Sequence, residues 1–254
     1  IRRILNLVER ENPAQAEVQY FQGILDFYEL TLRVRFDGES LVQLTGRGYL
    51  PPDVPGLSLP AVKTADLARR ASHRMRRALA LNPEFKFAPS AGMGISYGDL
   101  MFTGRTDPVL FEFMKKVKIN ETPESTRPMA VWMSLALFAL QGRRTELLAL
   151  AAELEKLKDT ERHRILPGPD ALRLVVAHGA LQAKDYLLAL ELARKVRAAE
   201  QLPDALKAEA VRVEGEVFLA QNGPDAARPF FEEARKIAGV KDAFLEERIK
   251  AVSE

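Results

Sequence analysis

Apolar residues recur every three or four positions along most of the chain, the period of helices with one buried face. The pattern predicts helices over 13–32, 65–81, 90–103, 108–118, 127–141, 144–158, 169–182, 185–200, 204–221, 224–238 and 241–252. Helix breakers separate them: Asn82-Pro83, Gly104-Arg105, Glu121-Thr122-Pro123, Gln141-Gly142, Pro167-Gly168-Pro169, Lys184-Asp185, Pro203 and Asn222-Gly223-Pro224. Asp170, Asp185, Asp204 and Asp225 suit helix starts, where a carboxylate can accept from free backbone N–H groups.

The stretch 33–62 breaks this rhythm. Leu32 to Phe36 alternates apolar and polar, Asp37-Gly38 is a turn pair, and Leu41-Val42-Gln43-Leu44 is apolar again. Gly46, Gly48, Pro51, Pro52, Pro55, Gly56 and Pro60 follow. We therefore expect a short β-hairpin and then a Pro-rich loop, inserted between two helices. Its many apolar residues favour an ordered insert packed on neighbouring helices or on a partner, and a plain surface insert is the simpler alternative.

Paired helices joined by short turns call for a repeat search. Gly215 is followed at fixed offsets by Phe218, Ala227, Phe231 and Ala234. The same offsets lead from Ala177 to Ala180, Ala189, Ala193 and Val196, and from Gly98 to Met101, Leu110, Met114 and Val117. Near Ala136 stand Trp132 and Ala139, then Leu147, Ala151 and Leu154 one residue early. Ala71, Met75, Ala78 and Pro83 match a second helix whose first helix carries Gly23. A small residue lets two helices approach closely, and the spaced aromatic and Ala positions form the facing stripe.

This pattern resembles the tetratricopeptide (TPR) repeat, most specifically at 71–83 and in the last helix pair. The spacing of about 38–41 residues between small positions is longer than the roughly 34 of that family. The resemblance implies an all-α chain over 1–254: a right-handed superhelical solenoid of antiparallel helix pairs, interrupted by the β-hairpin and Pro-rich insert. Another helical solenoid is the structural alternative.

Composition narrows the chemistry. The 254 residues are 47% hydrophobic and 28% charged, ordinary values for a folded domain, and the net charge of +2 gives no argument for nucleic acid. No cysteine is present, which excludes disulfides, Cys-type zinc sites and Cys nucleophiles. No apolar run is long enough for a membrane helix. The chain starts at Ile1 without Met, which we read as a processed or trimmed chain: the periplasm or bacterial cell envelope is the expected location, and an inner fragment of a cytoplasmic protein is the alternative.

Gly94-Ile95-Ser96-Tyr97-Gly98 matches the G-x-S-x-G elbow of serine hydrolases, and Asp170 and His178 follow in triad order. No strong strand precedes it, so Gly98 reads better as a helix-packing residue, and a hydrolase using Ser96 is a remote alternative. His73, His163 and His178 are scattered, and no metal or cofactor motif occurs. Glu209, Glu214 and Glu216 read as a solvated helix face. Arg69, Arg70, Arg74, Arg76 and Arg77 cluster within nine residues. They would either pair with acids of neighbouring helices or contact an acidic protein, phosphates or lipid. No aromatics interleave them, so nucleic acid is not expected.

The TPR resemblance implies a concave partner-binding face lined by the first helix of each pair. That assigns Tyr20 and Tyr28, Asp99, Leu137 and Gln141, His178 and Gln182, and Arg212 and Glu216 to it. The expected function is a non-enzymatic scaffold that binds a protein or peptide partner, with a second copy of the chain as one candidate. No catalytic residue, metal or cofactor is expected. The alternative is a helical accessory domain of a larger envelope machine or enzyme.

Overall fold

A computed structural model describes residues 1–31, 38–48, 61–103, 108–115, 121–122, 127–156, 168–239 and 242–253. They form α1 (Arg2–Glu11), α2 (Ala16–Thr31), α3 (Gly38–Arg47), α4 (Ala61–Leu81), α5 (Ala88–Thr103), α6 (Pro108–Met114), α7 (Arg127–Leu140), α8 (Arg144–Glu155), α9 (Pro169–Gln182), α10 (Tyr186–Arg197), α11 (Asp204–Asn222), α12 (Pro224–Ala238) and α13 (Ala243–Ala251). No strand occurs among the described residues.

The β-hairpin expectation is corrected here. Leu41, Val42 and Leu44 lie on a helix, α3, and are fully buried with Ser40 and Thr45. Leu41, Leu44 and Thr45 recur at helical spacing, and Glu39 supports the start of the helix. The first arm of the expected hairpin and the Pro-rich part lie outside the described residues.

The chain gathers into two compact units. The first comprises Ile1–Arg35 and Tyr49–Phe113, and the second Phe36–Gly48 and Met114–Glu254. In the first unit α2 packs on α4, and α4 on α5. Ala16, Tyr20, Met75, Ala78, Phe85, Ala91 and Ile95 make its core. Gly23 sits where α2 and α4 meet: a Cβ there would be 3.0 Å from Met75 Cγ and 3.2 Å from the Ala71 carbonyl. By contrast, a Cβ on Gly98 would meet nothing within 4 Å. The expectation that Gly98 is a packing residue is therefore wrong. Gly94 takes that place, one turn earlier, against the Met75 thioether.

The second unit contains three helical hairpins in sequence order, α7/α8, α9/α10 and α11/α12, closed by α13. Each hairpin packs on the next through α7, α9 and α11, and α8 and α10 add contacts to the following α9 and α11. The turns repeat closely. Gly142 (φ 62°) and Lys184 (φ 60°) are both left-handed, and the next residue bonds back in the same way, Arg143 N–H to Phe138 O and Asp185 N–H to Ala180 O, each 2.8 Å. The core holds the residues on the predicted stripe. Ala177, Ala180, Ala189 and Ala193 share one cluster with Val213 and Val217, and Ala227, Phe231 and Ala234 are wholly buried. A Cβ on Gly215 would lie 2.9 Å from Phe231 Cε1, so two helices meet there with no room for a side chain.

α3 belongs to this second unit although its neighbours in sequence belong to the first. It packs on α7, α9 and α11, the first helices of the three hairpins.

Candidate functional site

The C-terminal turn of α3 meets a buried charged cluster on α9 and α11. Glu209, Arg212 and Glu216 are spaced three and four residues apart, so they share one face of α11. Arg212 grips Glu209 with two bonds, Nε to Oε2 at 2.8 Å and Nη2 to Oε1 at 2.6 Å, and its Nη1 donates to Glu216 Oε1 at 3.1 Å. His178 of α9 places Nε2 2.8 Å from Glu209 Oε1. Glu209, Arg212 and His178 are all buried, and buried ions are tolerated only when paired and hydrogen-bonded, as these are. The reading of Glu209 and Glu214 as solvated is thus corrected: both lie inside, Glu214 against Arg197 and Arg194.

Electrostatics follow from this packing. Burial alone would raise the Glu209 carboxyl pKa, but the Arg212 charge and the hydrogen bonds from Arg212 and His178 outweigh it and hold it well below the usual carboxylate range. Burial opposes the Arg212 charge, yet Glu209 and Glu216 keep it firmly protonated. His178 goes the other way. Desolvation lowers its pKa from 6.5, only partly offset by Glu209. In the neutral ring Nε2 carries the proton toward the ionised Glu209, and Nδ1 accepts from Thr45 Oγ1 at 2.8 Å.

α3 contributes two further contacts. The Gly46 carbonyl, one of the last four of the helix, accepts from Arg212 Nη2 at 3.3 Å, so a buried cation meets the negative end of α3. A Cβ on Gly46 would overlap Glu209 Oε1 and come within 3.0 Å of Arg212 and His178. Arg47 then forks onto Asp242, with Nη1 to Oδ1 at 3.1 Å. Asp242 also caps α13 through the Phe244 and Leu245 amides. The Phe244 ring lies under three guanidinium groups, those of Arg47, Arg212 and Arg248, each 5.2–5.7 Å from its centroid.

Beside Thr45, Gly46, His178 and Arg212 lies an open cleft of about 220 Å³, bordered also by Gln182, Tyr186, Glu216 and Arg248. Glu216 also pairs with Arg248 across it at 2.9 Å.

Thr45, His178 and Glu209 form a hydroxyl–imidazole–carboxylate chain, the order of a hydrolytic triad. Thr45 Oγ1, however, is buried inside α3 and lies 2.9 Å from the Leu41 carbonyl. Thr45 and His178 also line the cleft beside them, and this chain of bonds fastens α3 to α9 and α11. Ser96, in the G-x-S-x-G sequence, lies within α5 and donates to the Gly92 carbonyl at 3.0 Å, with no strand or sharp turn before it. Among the described residues no group of three His, Cys, Asp or Glu side chains could hold a metal ion, and no helix is long and apolar enough to cross a membrane.

Of the residues assigned to a concave face, His178, Gln182, Arg212 and Glu216 come together at this cleft. Tyr20 does not face a groove. It is buried in the first unit, stacked on Phe87 at 5.1 Å. Leu137 is wholly buried, Gln141 is partly covered in the α7/α8 turn, and Tyr28 is exposed on α2. Asp99 is tied to Arg76 at 2.7 Å. The basic cluster finds acids on neighbouring helices: Arg74 meets Glu9 and Asp26, Arg70 meets Asp26, and Arg76 meets Asp99. Arg77 reaches the Pro13 carbonyl, and Arg69 is exposed on α4 with a partner of its own. Sequence reasoning missed Thr45, Gly46, Arg47, Asp242, Phe244 and Arg248. The one usable signal is the Thr-Gly-Arg run after the apolar positions of α3, where the pattern suggests a strand and loop.

Against known proteins, the chain matches no family model, no curated protein and no solved structure.

Proposed function

We propose that the chain is a non-enzymatic, TPR-like helical scaffold that binds a partner protein on the inner helices of its second unit. The observation that carries this reading is that α7, α9 and α11 already hold a helix, α3, that is not contiguous with them in sequence. A surface that buries Leu41, Val42 and Leu44 and ends in a cleft lined by charged and polar groups has the make-up of a recognition face. Consecutive hairpins packed through their first helices, with Gly215 at a close helix contact, support the solenoid reading. The expected setting is assembly or tethering of a larger complex.

The test is site-specific photo-crosslinking in the intact chain. A crosslinker replacing Gln182, at the cleft, should capture a partner protein. One replacing Leu187, exposed on α10, should not. Capture from Leu187 alone would move the binding face elsewhere.

A further inference from the structure

We infer that α3 is a resident ligand, and that the inner face of the second unit takes in trans a partner helix with the pattern of α3. That pattern is an apolar face like that of Leu41, Val42 and Leu44, ending in a hydroxyl residue, a glycine and a cation. This rests on the scaffold reading above and names the partner's chemistry.

Three observations carry it. First, the charged cluster is complete without α3. Glu209 and Glu216 are counter-charges to Arg212 and Arg248, and α3 adds the Thr45 hydroxyl and the Gly46 carbonyl to them and the Arg47–Asp242 pair beside them. Removing α3 therefore leaves the buried Glu209 and Arg212 paired with each other and takes a counter-ion only from Asp242, at the partly exposed start of α13, which suits a site that exchanges its occupant for another helix ending in a cation. Second, each of the last residues of α3 is read by a distinct group. His178 reads the hydroxyl, the Glu209–Arg212 pair leaves room only for glycine, and Asp242 with Phe244 reads the cation. Third, α3 does not fill the face. It ends at Arg47, Gly48 turns left-handed (φ 82°), and the cleft bordered by Gln182, Tyr186, Glu216 and Arg248 lies open. A partner helix that continues past the Thr-Gly-Arg position has a place to put its next residues. α3, held by the chain on both sides, competes at a high local concentration, so the face is blocked until a longer or better helix displaces it.

The test uses the full chain and a labelled synthetic peptide of residues 38–48. In Gly46→Leu the chain's own α3 can no longer seat, while α7, α9, α11 and α13 are unchanged. The wild-type peptide should bind this variant saturably, and at least tenfold more weakly to the wild-type chain. A peptide carrying Gly46→Leu should bind neither. Should Gly46→Leu not fold, as judged by circular dichroism, a charge exchange replaces it. An Arg47→Glu peptide should bind an Asp242→Arg chain and not the wild type. No binding of the wild-type peptide to a folded Gly46→Leu chain, or equal binding to both chains, overturns the inference. If Gln182 still crosslinks a partner protein while the peptide fails, the scaffold reading stands and this inference alone falls.

Discussion

His178 Nε2 stands 2.8 Å from Glu209 Oε1, with both side chains buried, and this pair gives the second unit an acid-sensitive joint. Burial depresses the His178 pKa below 6.5, so the folded chain favours the neutral ring more than the unfolded chain does. The stability this gives is present above 6.5 and is lost as the pH falls through the lower folded value. Glu209 is depressed as well, so its contribution is present above its ordinary 4.5 and is lost at still lower pH. Protonation of His178 turns the Thr45 bond round: Nδ1–H donates, and the hydroxyl proton goes to the Leu41 carbonyl. The unfolding free energy from urea titrations should therefore fall as the pH drops below 6.5, by up to about 1.4 kcal/mol per pH unit for one proton. His178→Gln should flatten that first part of the profile and leave the more acidic part in place. An unchanged profile would remove His178 as its source.

Arg212 is the counter-ion that keeps Glu209 buried and ionised. Arg212→Met leaves Glu209 buried without its counter-ion and should cost about 3–5 kcal/mol. Replacing both members, Arg212→Met with Glu209→Leu, removes the buried charges together and should cost much less than the sum of the single changes. A double-mutant cycle in denaturant measures this. Additive losses would mean that the two residues do not act as a pair.

Lys184 occupies a left-handed position that Gly142 fills in the preceding hairpin. A side chain there is strained, whereas glycine is at ease. Lys184→Gly should stabilise the second unit by about 0.5–1 kcal/mol. Gly142→Ala should do the reverse and more, since its Cβ would also lie 3.0 Å from the Ala183 amide. Thermal melts of the two variants should move in opposite directions.

The helices of the second unit were legible because each buries a regular stripe: Ala189, Ala193 and Val196 on α10, or Ala227, Phe231 and Ala234 on α12. α1 is absent from the predicted helices although Ile1, Ile4, Leu5 and Val8 stand at helical spacing. It buries no residue and is held by polar contacts, Glu9 to Gln19 and Gln22 and Arg2 to Asp26. α3 was misread for a different reason. Its run of Leu41, Val42 and Leu44 is too short to tell a helix from a strand, and Asp37-Gly38 gave a turn signal at its start. At the site, His178, Gln182, Arg212 and Glu216 could be placed from their positions on the first helices. Their meeting with Thr45, Gly46 and Asp242 is a long-range contact that no local pattern records. Gly142 and Lys184 are 42 residues apart, one more than the 41 between Ala136 and Ala177, which is why Leu147, Ala151 and Leu154 stand one residue early.

Two glycines on similar helices should respond oppositely to the same change. Both sit within helices, where glycine costs up to about 1 kcal/mol relative to alanine. A Cβ on Gly98 would enter open space, so Gly98→Ala should stabilise the chain by about 0.5–1 kcal/mol. A Cβ on Gly215 would come within 2.9 Å of Phe231 Cε1 and 3.1 Å of Phe230 Cβ. Phe231 is wholly buried and cannot move aside, and Phe230 is stacked on Phe218 at 4.6 Å. Crowding therefore outweighs helix propensity, and Gly215→Ala should destabilise, with Gly215→Leu costing about 1–3 kcal/mol. Chemical denaturation of the three variants checks the signs. A Gly215→Leu chain as stable as the parent would show that α11 and α12 do not close against one another at this residue.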